Sequence, residues 1–205
     1  MNGNPELPTD TADQHWNKIW NNLEKGSKWL MPEPEVERWA KGLKAGSAIL
    51  DLGAGVGRHA LALNSAGFDV AALDAAPGGL AEINRAGPEV ETKLGRMDQL
   101  PFTDACFDHV LSWNVIYHGD ETIVLNTISE VRRVLKPGGT FLLTMLSKRR
   151  LRIDQKNLNG PREISNNTWV FDENNSDKIH PHYYCNAIEM LCLFQGFEVL
   201  WLEDR

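Results

Sequence analysis

The spacing of apolar residues separates a helical N-terminal region from the rest of the chain. One helical face is indicated by apolar residues at i, i+3, i+4 and i+7: Trp16, Ile19, Trp20 and Leu23. The following segment, "MPEPEVERWAKGLKAG", has Pro34 where a helix would start and Gly42 near its end. We therefore predict two short helices in an N-terminal extension, residues 1–46, and a main domain over residues 47–205.

From Ser47 onward, short apolar runs alternate with amphipathic segments. The runs "AILDLG", "FDVAALD", "VETKLGRMD", "FDHVLSWN" and "GTFLLTML" predict strands. Helices are predicted over "GRHALALNSAG", "APGGLAEINRAG" and "DETIVLNTISEVRRVLKPGG", the last ending at its Pro-Gly-Gly. Strands that alternate with helices favour right-handed crossovers. The pattern predicts an α/β fold with a doubly wound, mostly parallel sheet and helices on both faces.

The regular pattern weakens after Ser147. The short basic run "SKRRLR" is interpreted as a solvated strand exit, with a phosphate-binding patch as the alternative. Farther on, "NNTWVFDENNSD" predicts a hairpin or an ordered loop. The last segment, "YYCNAIEMLCLFQGFEVLWLEDR", predicts one more helix and a sixth strand at "FEVLWLEDR".

Composition and charge exclude several classes of function. A length of 205 residues suits one domain, and the net charge of −7 argues against nucleic-acid partners. No apolar stretch approaches the length of a membrane span, and the polar N-terminus does not resemble a signal peptide. The three cysteines lack the spacing of a zinc site. We expect a cytoplasmic protein, a monomer or dimer, with no membrane partner.

The segment "ILDLGAGVGRH" places a glycine-rich turn between a predicted strand and a predicted helix. Its spacing lacks the GxxxxGK of a phosphate-binding P-loop. A dinucleotide fingerprint, GxGxxG, is also a poor fit because Arg58 stands where its third glycine belongs. Asp51 would repel a pyrophosphate and suits a ligand that carries positive charge. Asp74, 23 residues beyond Asp51, fits a ribose diol in either case.

Four motifs in order resemble class I S-adenosylmethionine-dependent methyltransferases, particularly the small-molecule group related to the ubiquinone/menaquinone enzymes. They are "ILDLGAGVGRH", "VAALDAA", "GRMDQLPFTDACFDHVLSWNVIYH" and "EVRRVLKPGGTFLLTM", within Ala48 to Leu146. The resemblance implies a Rossmann-like fold with an N-terminal helical lid and S-adenosyl-L-methionine as cofactor. It also implies transfer of a methyl group to a small-molecule substrate by in-line displacement.

The resemblance also assigns residues to the cofactor. Asp74 is expected to hold the ribose hydroxyls and Asp98 to accept from the adenine amino group, with Met97 beside the ring. The complete expected set is Asp51, Gly53, Ala54, Gly55, Gly57, Asp74, Met97, Asp98, Gln99 and Asn114. The residues alone leave other roles open: Asp98 as a turn cap, Asp51 as a partner of loop amides, and Met97 as core filler.

The acceptor site is predicted just after the fourth strand, at "NVIYH". Enzymes that methylate exocyclic amines of nucleic acid carry an Asn/Asp-Pro-Pro-Tyr-like tetrad there, and this chain has Val-Ile in place of Pro-Pro. Tyr117, His118 and His182 are the catalytic candidates, able to orient or deprotonate an acceptor. Packing and helix capping are the alternative roles. His180 and His182 also raise the idea of a metal, but without a third ligand we expect none.

Two further expectations concern the edge of the sheet and the N-terminal helix. The usual seventh strand of the family is not evident, so residues 166–176 or a second chain would cover the fifth strand's edge. His15 and Trp16 would form the lid, or Trp16 would simply belong to the core.

Two alternative functions stay open. The first is an S-adenosylmethionine-binding regulator or pseudo-enzyme, and the second is a nicotinamide-dependent oxidoreductase.

Overall fold

The computed structural model describes residues 12–173 and 176–203, which form two compact units. The larger unit contains Asp13–Ile116 and Leu125–Thr144. The smaller unit contains Tyr117–Val124 and the described residues after Thr144. The start of the predicted N-terminal extension and the end of the predicted sixth strand lie outside the described residues.

The larger unit is built on a parallel sheet of five strands in the order β3-β2-β1-β4-β5. The strands are β1 (Ala48–Leu52), β2 (Asp69–Asp74), β3 (Glu91–Leu94), β4 (Phe107–Ser112) and β5 (Leu135–Leu143). Every residue from Ile49 to Leu52 is buried, as expected of a central strand covered on both faces. The predicted doubly wound parallel sheet is confirmed.

Two helices, α1 (Asp13–Trp20) and α2 (Pro34–Ala40), precede β1, and three helices connect strands of this sheet: α3 (Arg58–Ser65), α4 (Pro77–Ala86) and α5 (Glu121–Val134). The order reverses at β1, since α3 and α4 lead toward β3 whereas α5 leads toward β5. Right-handed crossovers in opposite directions put the helices on both faces. A short 3-10 helix, Lys28–Leu30, separates α1 from α2.

The end of α5 differs from the prediction. The helix stops at Val134, and β5 begins with the next residue instead of after the Pro-Gly-Gly. Pairing with β4 jumps from Phe107↔Leu135 to His109↔Thr140, so residues 136–139 form an irregularity inside the strand. Proline cannot donate to a ladder and Gly138 has φ +77°, which explains why the pairing is interrupted there.

The smaller unit carries a second sheet, in the order β6-β9-β8-β7. Its strands are β6 (Leu146–Ser147), β7 (Arg162–Ser165), β8 (Thr168–Val170) and β9 (His182–Cys185), and its helices are α6 (Lys148–Asn157) and α7 (Ala187–Leu193). A 3-10 helix, Asp177–Ile179, precedes β9. Strands β7 and β8 form an antiparallel hairpin that turns at Asn167, φ +60°, so the predicted hairpin is confirmed and begins earlier than expected.

Two predictions for this unit are wrong. The basic run "SKRRLR" opens α6, because Ser147 caps the helix, Leu151 is buried and Arg150 pairs with Asp154 one turn on. Tyr183 and Tyr184 lie in β9, just ahead of α7, the helix that the sequence predicts there. Residues 198–203 form no strand, and Leu200 and Trp201 are exposed rather than packed against a sheet.

In the described ranges, no strand pairs with the outer edge of β5. Residues 168–170 of the segment proposed to cover it pair instead with β7 and β9. Thus β5 is the last strand of its sheet among the described residues, in agreement with the apparent absence of a seventh strand. In the same ranges, no helix combines the length and apolarity that crossing a membrane requires.

Candidate functional site

The glycine-rich turn connects β1 to α3 at the carboxyl edge of the larger sheet. Gly53, Gly55 and Gly57 have φ of +76°, +55° and +83°, which only glycine adopts without strain. The amides of Gly53 and Ala54 donate to the Leu73 carbonyl of β2 at 2.7 and 3.0 Å. The turn is therefore held against the neighbouring strand, next to the point where the strand order reverses. Ligands of doubly wound sheets bind at this position.

At each glycine of the turn, a neighbouring side chain leaves little or no room for a Cβ atom. A Cβ on Gly53 would lie 2.4 Å from both methyl groups of Val115, and one on Gly57 would lie 2.5 Å from Ile83. A Cβ on Gly55 would meet the Trp20 indole at 3.0 Å. The spacing of the three glycines thus reflects close packing as well as access for a ligand.

Asp51 is a buried carboxylate inside β1, with 1% of its surface exposed. Burial raises the pKa of its carboxyl to about 7; the Ala60 amide opposes the rise, and the charge of Asp74 adds to it. Its Oδ2 has no hydrogen-bond partner among the described residues. A buried, unsatisfied carboxylate oxygen is costly, so this atom is suited to a cation or an N–H donor from a ligand.

Asp74 is the last residue of β2, and its carboxylate accepts hydrogen bonds from two turns. Its Oδ2 accepts from the Gly55 amide at 2.7 Å, and its Oδ1 accepts from the Ala76 amide at 2.8 Å. Burial raises the pKa of the carboxyl, and these amide hydrogen bonds oppose the rise. Each oxygen has a further lone pair, so the carboxylate can also accept from ligand hydroxyls.

The predicted adenine residues lie in the turn after β3. Met97 is buried and Gln99 is exposed. Asp98 pairs with Arg96, with Nε–Oδ1 and NH2–Oδ2 distances of 2.9 and 3.2 Å. The sequence did not indicate this ion pair. It turns the carboxylate of Asp98 toward a guanidinium of its own turn.

Asn114 follows β4 and has an unusual backbone conformation. Its φ is +62°, a left-handed value that is uncommon for residues other than glycine. The Thr144 hydroxyl holds it there, accepting from the Asn114 amide at 2.7 Å and donating to its side-chain oxygen at 3.3 Å. This conformation precedes Val115, the residue that packs on Gly53.

The three acceptor-site candidates come together in the smaller unit. The Tyr117 carbonyl accepts from the Tyr183 amide, and the Gly119 amide donates to Pro181, both at 2.9 Å. This antiparallel bridge pairs His118 with His182, and their ring centroids are 4.6 Å apart. The ring of Tyr117 lies 4.8 Å from that of His118, measured between centroids.

Asp177 joins this group, which sequence reasoning missed. Its Oδ2 lies 3.2 Å from His182 Nε2, and His182 Nδ1 lies 2.9 Å from the His180 carbonyl. Burial lowers the pKa of His182 despite the nearby carboxylate. Asp177 sits five residues upstream of His182 in a polar segment, and no motif marked it. His180 contributes its carbonyl oxygen, not its ring, to the arrangement around His182.

The segment that runs from β1 into β5 is similar to a known protein family. Residues 49–139 match the family model described as a methyltransferase domain. This segment is a methyltransferase domain. The domain includes the glycine-rich turn, Asp51, Asp74, Asp98 and Asn114, that is, the predicted cofactor set.

A curated relative is similar in sequence, and solved structures share the fold. The chain is 34% identical over 110 residues to a demethylmenaquinone methyltransferase of Beutenbergia cavernae, a match that covers 53% of this chain and 44% of the relative. The chain thus spans less than half of that relative's length. The fold is shared with a possible histamine N-methyltransferase of Thermotoga maritima, with a TM-score of 0.66, 19% identity, and coverage of 91% and 81% of the two chains.

A second solved structure shares the fold of the methyltransferase domain. It is the 1,6-didemethyltoxoflavin-N1-methyltransferase of Burkholderia thailandensis, solved with 1,6-didemethyltoxoflavin and S-adenosylhomocysteine bound. Its TM-score is 0.65 at 15% identity, and the match covers 91% of this chain and 75% of the other.

Proposed function

We propose that the chain is a methyltransferase that uses S-adenosyl-L-methionine to methylate a small molecule. The observation that carries the proposal is the buried Asp51 carboxylate, whose Oδ2 has no donor among the described residues. S-adenosylmethionine carries an ammonium and a sulfonium and has no phosphate, so it matches a site that offers negative charge. The match of residues 49–139 to a methyltransferase domain supports the same donor.

The nucleoside part of the donor fits the remaining residues of the set. Asp74 is proposed to accept from the ribose hydroxyls with the lone pairs that the loop amides leave free. Asp98 is proposed to accept from the adenine amino group while it stays paired with Arg96. An exposed ion pair of this kind contributes only about 0–1 kcal/mol, so sharing the carboxylate costs little.

The donor brings an already activated methyl group, and the protein's contribution is therefore positioning and exclusion of water. Tyr117, His118 and His182 are proposed to bind and orient the acceptor. The N-terminal segment, residues 1–46, is proposed as a lid on the domain of residues 47–205. Supporting this, Trp20 of α1 packs against Gly55, and the Gly78 amide of α4 donates to Asn17 of α1 at 2.8 Å.

A small molecule is the acceptor class that best fits the chain. The net charge of −7 disfavours nucleic acid, and Val115-Ile116 replaces the Pro-Pro of amine-methylating tetrads. A relative named as a demethylmenaquinone methyltransferase and a structural neighbour that binds 1,6-didemethyltoxoflavin support the same class. A reducing, cytoplasmic location is proposed because Cys106, Cys185 and Cys192 are free thiols.

Calorimetric titration with S-adenosylhomocysteine tests the donor site. We expect saturable binding that Asp74→Asn weakens by about tenfold or more, because hydrogen bonds to charged groups are worth about 1.5–3 kcal/mol. Asp69→Asn is the matched control, since Asp69 is the exposed first residue of the same strand β2 and should bind as the wild type does. Folded protein that takes up no ligand would overturn the proposed function.

Methyl transfer is a separate measurement. Mass spectrometry of a panel of hydroxyl, amine, thiol and quinol acceptors incubated with the donor should show a product heavier by one methylene unit. Tight binding of the donor without turnover of any acceptor would instead support the regulator or pseudo-enzyme alternative.

A further inference from the structure

The smaller unit contains a compact set of metal-ligating side chains, two of which, His118 and His182, are also proposed acceptor-site residues. His118, Asp177 and His182, here called the His–Asp cluster, each offer one ligand atom, and these atoms all lie within 4.8 Å of one another. His182 is fully buried, His118 is 5% exposed, and Asp177 is partly exposed. We propose that the His–Asp cluster binds a divalent first-row transition metal ion, such as Zn²⁺ or Fe²⁺, through two imidazoles and one carboxylate.

The hydrogen bond on the far side of His182 supports this assignment. A backbone carbonyl can only accept, so the contact of 2.9 Å between Nδ1 and the His180 oxygen places the proton of a neutral ring on Nδ1. The Nε2 lone pair then faces the Asp177 carboxylate at 3.2 Å, and two acceptors oppose each other. A cation between them removes the conflict. Metal-bound histidines commonly donate their second ring N–H to a carbonyl in this way.

The distances fit a small ion. With bonds of about 2.0–2.1 Å, two ligand atoms of a tetrahedral zinc site lie about 3.3 Å apart. The Nε2–Oδ2 separation of 3.2 Å between His182 and Asp177 already has this value. A ring nitrogen of His118, within 4.8 Å of both, needs an approach of roughly 1.5 Å at most, which side-chain rotation supplies.

The backbone around the cluster holds the two histidines in place before any metal binds. The antiparallel bridge between His118 and His182 puts their side chains next to each other, and the hydrogen bonds of Gly119 and Tyr183 fix its register. The ammonium of Lys178, next to Asp177 in the chain, is directed to the Tyr184 hydroxyl at 2.8 Å and to Asp154 at 3.4 Å. Its charge is therefore largely balanced by Asp154.

Two imidazoles with one carboxylate leave coordination positions open. This donor set is typical of sites where a metal keeps a water or a substrate atom as a further ligand. Imidazole also selects against Mg²⁺, which prefers oxygen ligands. We therefore expect Zn²⁺, Co²⁺ or Fe²⁺ to bind and Mg²⁺ not to compete.

Cobalt titration of the full chain, without an affinity tag and stripped with EDTA, tests the proposal. Visible absorption of bound Co²⁺ should saturate at one equivalent, and Zn²⁺ but not Mg²⁺ should abolish it. Asp177→Asn and His182→Gln should each weaken binding by at least about tenfold, the lower end of the loss seen for groups that merely orient ligands. His180→Gln is the matched control, because its backbone carbonyl is retained, and it should bind as the wild type does.

The titration also has outcomes that overturn the proposal. Wild-type protein that takes up no cobalt would overturn the proposal. Binding that Asp177→Asn leaves unchanged would place the metal elsewhere. Should His182→Gln fail to fold, Asp177→Asn at its partly exposed position still decides the result. Titration of the same sample with S-adenosylhomocysteine keeps this proposal separate from the proposed function.

Discussion

Asp51→Asn is expected to stabilise the ligand-free protein at pH 8 while weakening its binding of S-adenosylmethionine. Burial raises the pKa of the Asp51 carboxyl from 3.8 to about 7 in the folded chain. At pH 8 the wild type must therefore hold a buried negative charge, whereas the amide of asparagine is neutral. The gain in the free energy of unfolding should be on the order of 2 kcal/mol, less than the full pKa shift implies because the amide is buried too.

The stability difference between Asp51→Asn and the wild type should depend on pH. Because the folded-state pKa lies above the unfolded value, the folded wild type binds more protons than the unfolded chain between pH 4 and pH 7. Its stability therefore falls as pH rises through that window. The difference between Asp51→Asn and the wild type should be small at pH 5 and largest at pH 8. Urea unfolding at both values measures it, and a difference that does not change with pH would contradict this role of Asp51.

Binding should show the opposite trend in the wild type. A cationic ligand binds the ionised carboxylate, so the affinity for S-adenosylmethionine should rise by about tenfold from pH 6 to pH 8 as the group with pKa about 7 ionises. In Asp51→Asn that rise should be absent, and the affinity at pH 8 should drop by about tenfold or more. Calorimetry at the two pH values measures both. Asp69→Asn serves again as the control at an exposed position.

Gly53→Ala is expected to destabilise the protein and abolish donor binding. The new Cβ would lie 2.4 Å from the methyl groups of Val115 and 2.8 Å from its Cβ, so the side chain or the turn must move. Overpacking of this kind costs about 1–3 kcal/mol, and an alanine in the left-handed region adds about 1–2 kcal/mol. Thermal unfolding and calorimetric titration measure the two effects.

Gly46→Ala separates collision from backbone strain. Gly46 has φ +74°, almost the value of Gly53, but a Cβ there would meet nothing within 4 Å. It should therefore show only the strain, about 1–2 kcal/mol, and bind the donor normally. Adding Val115→Ala to Gly53→Ala should recover part of the stability, because the two methyl groups at 2.4 Å are removed. Equal losses at Gly46 and Gly53 would exclude the steric explanation.

The sheet of the larger unit was predictable because its signals are local. Strands β1, β2 and β4 are short, mostly apolar runs, and the connecting helices have their own apolar faces, so β1, α3, β2 and α4 lie where the pattern indicated. The doubly wound arrangement was predictable from the alternation of strands and helices together with the right-handedness of the crossovers. The expected cofactor set could be named for a similar reason, since its members lie near the carboxyl ends of strands or in the turns after them; their role in binding stays a prediction.

The smaller unit was predicted less well because its structure depends on contacts between distant segments. The bridge of His118 with His182 joins residues that are 64 positions apart in the chain, and no pattern in either segment predicts it. Asp177 belongs to a 3-10 helix too short to leave a pattern. Helix α6 is mostly polar, and its main support is the burial of Leu151. Such elements are set by tertiary packing rather than by propensity.

The fit of the glycine-rich turn against Val115, Trp20 and Ile83 bears on how such proteins lose function over evolutionary time. A lineage that abandoned methyl transfer would still keep these glycines, since replacing them disrupts packing whether or not a ligand binds. Asp51 is subject to the opposite selection. Once no cation binds beside it, its burial is a pure cost, and neutral residues are free to take its place. Retention of the aspartate, rather than of the glycines, therefore indicates that the turn still binds a cationic ligand.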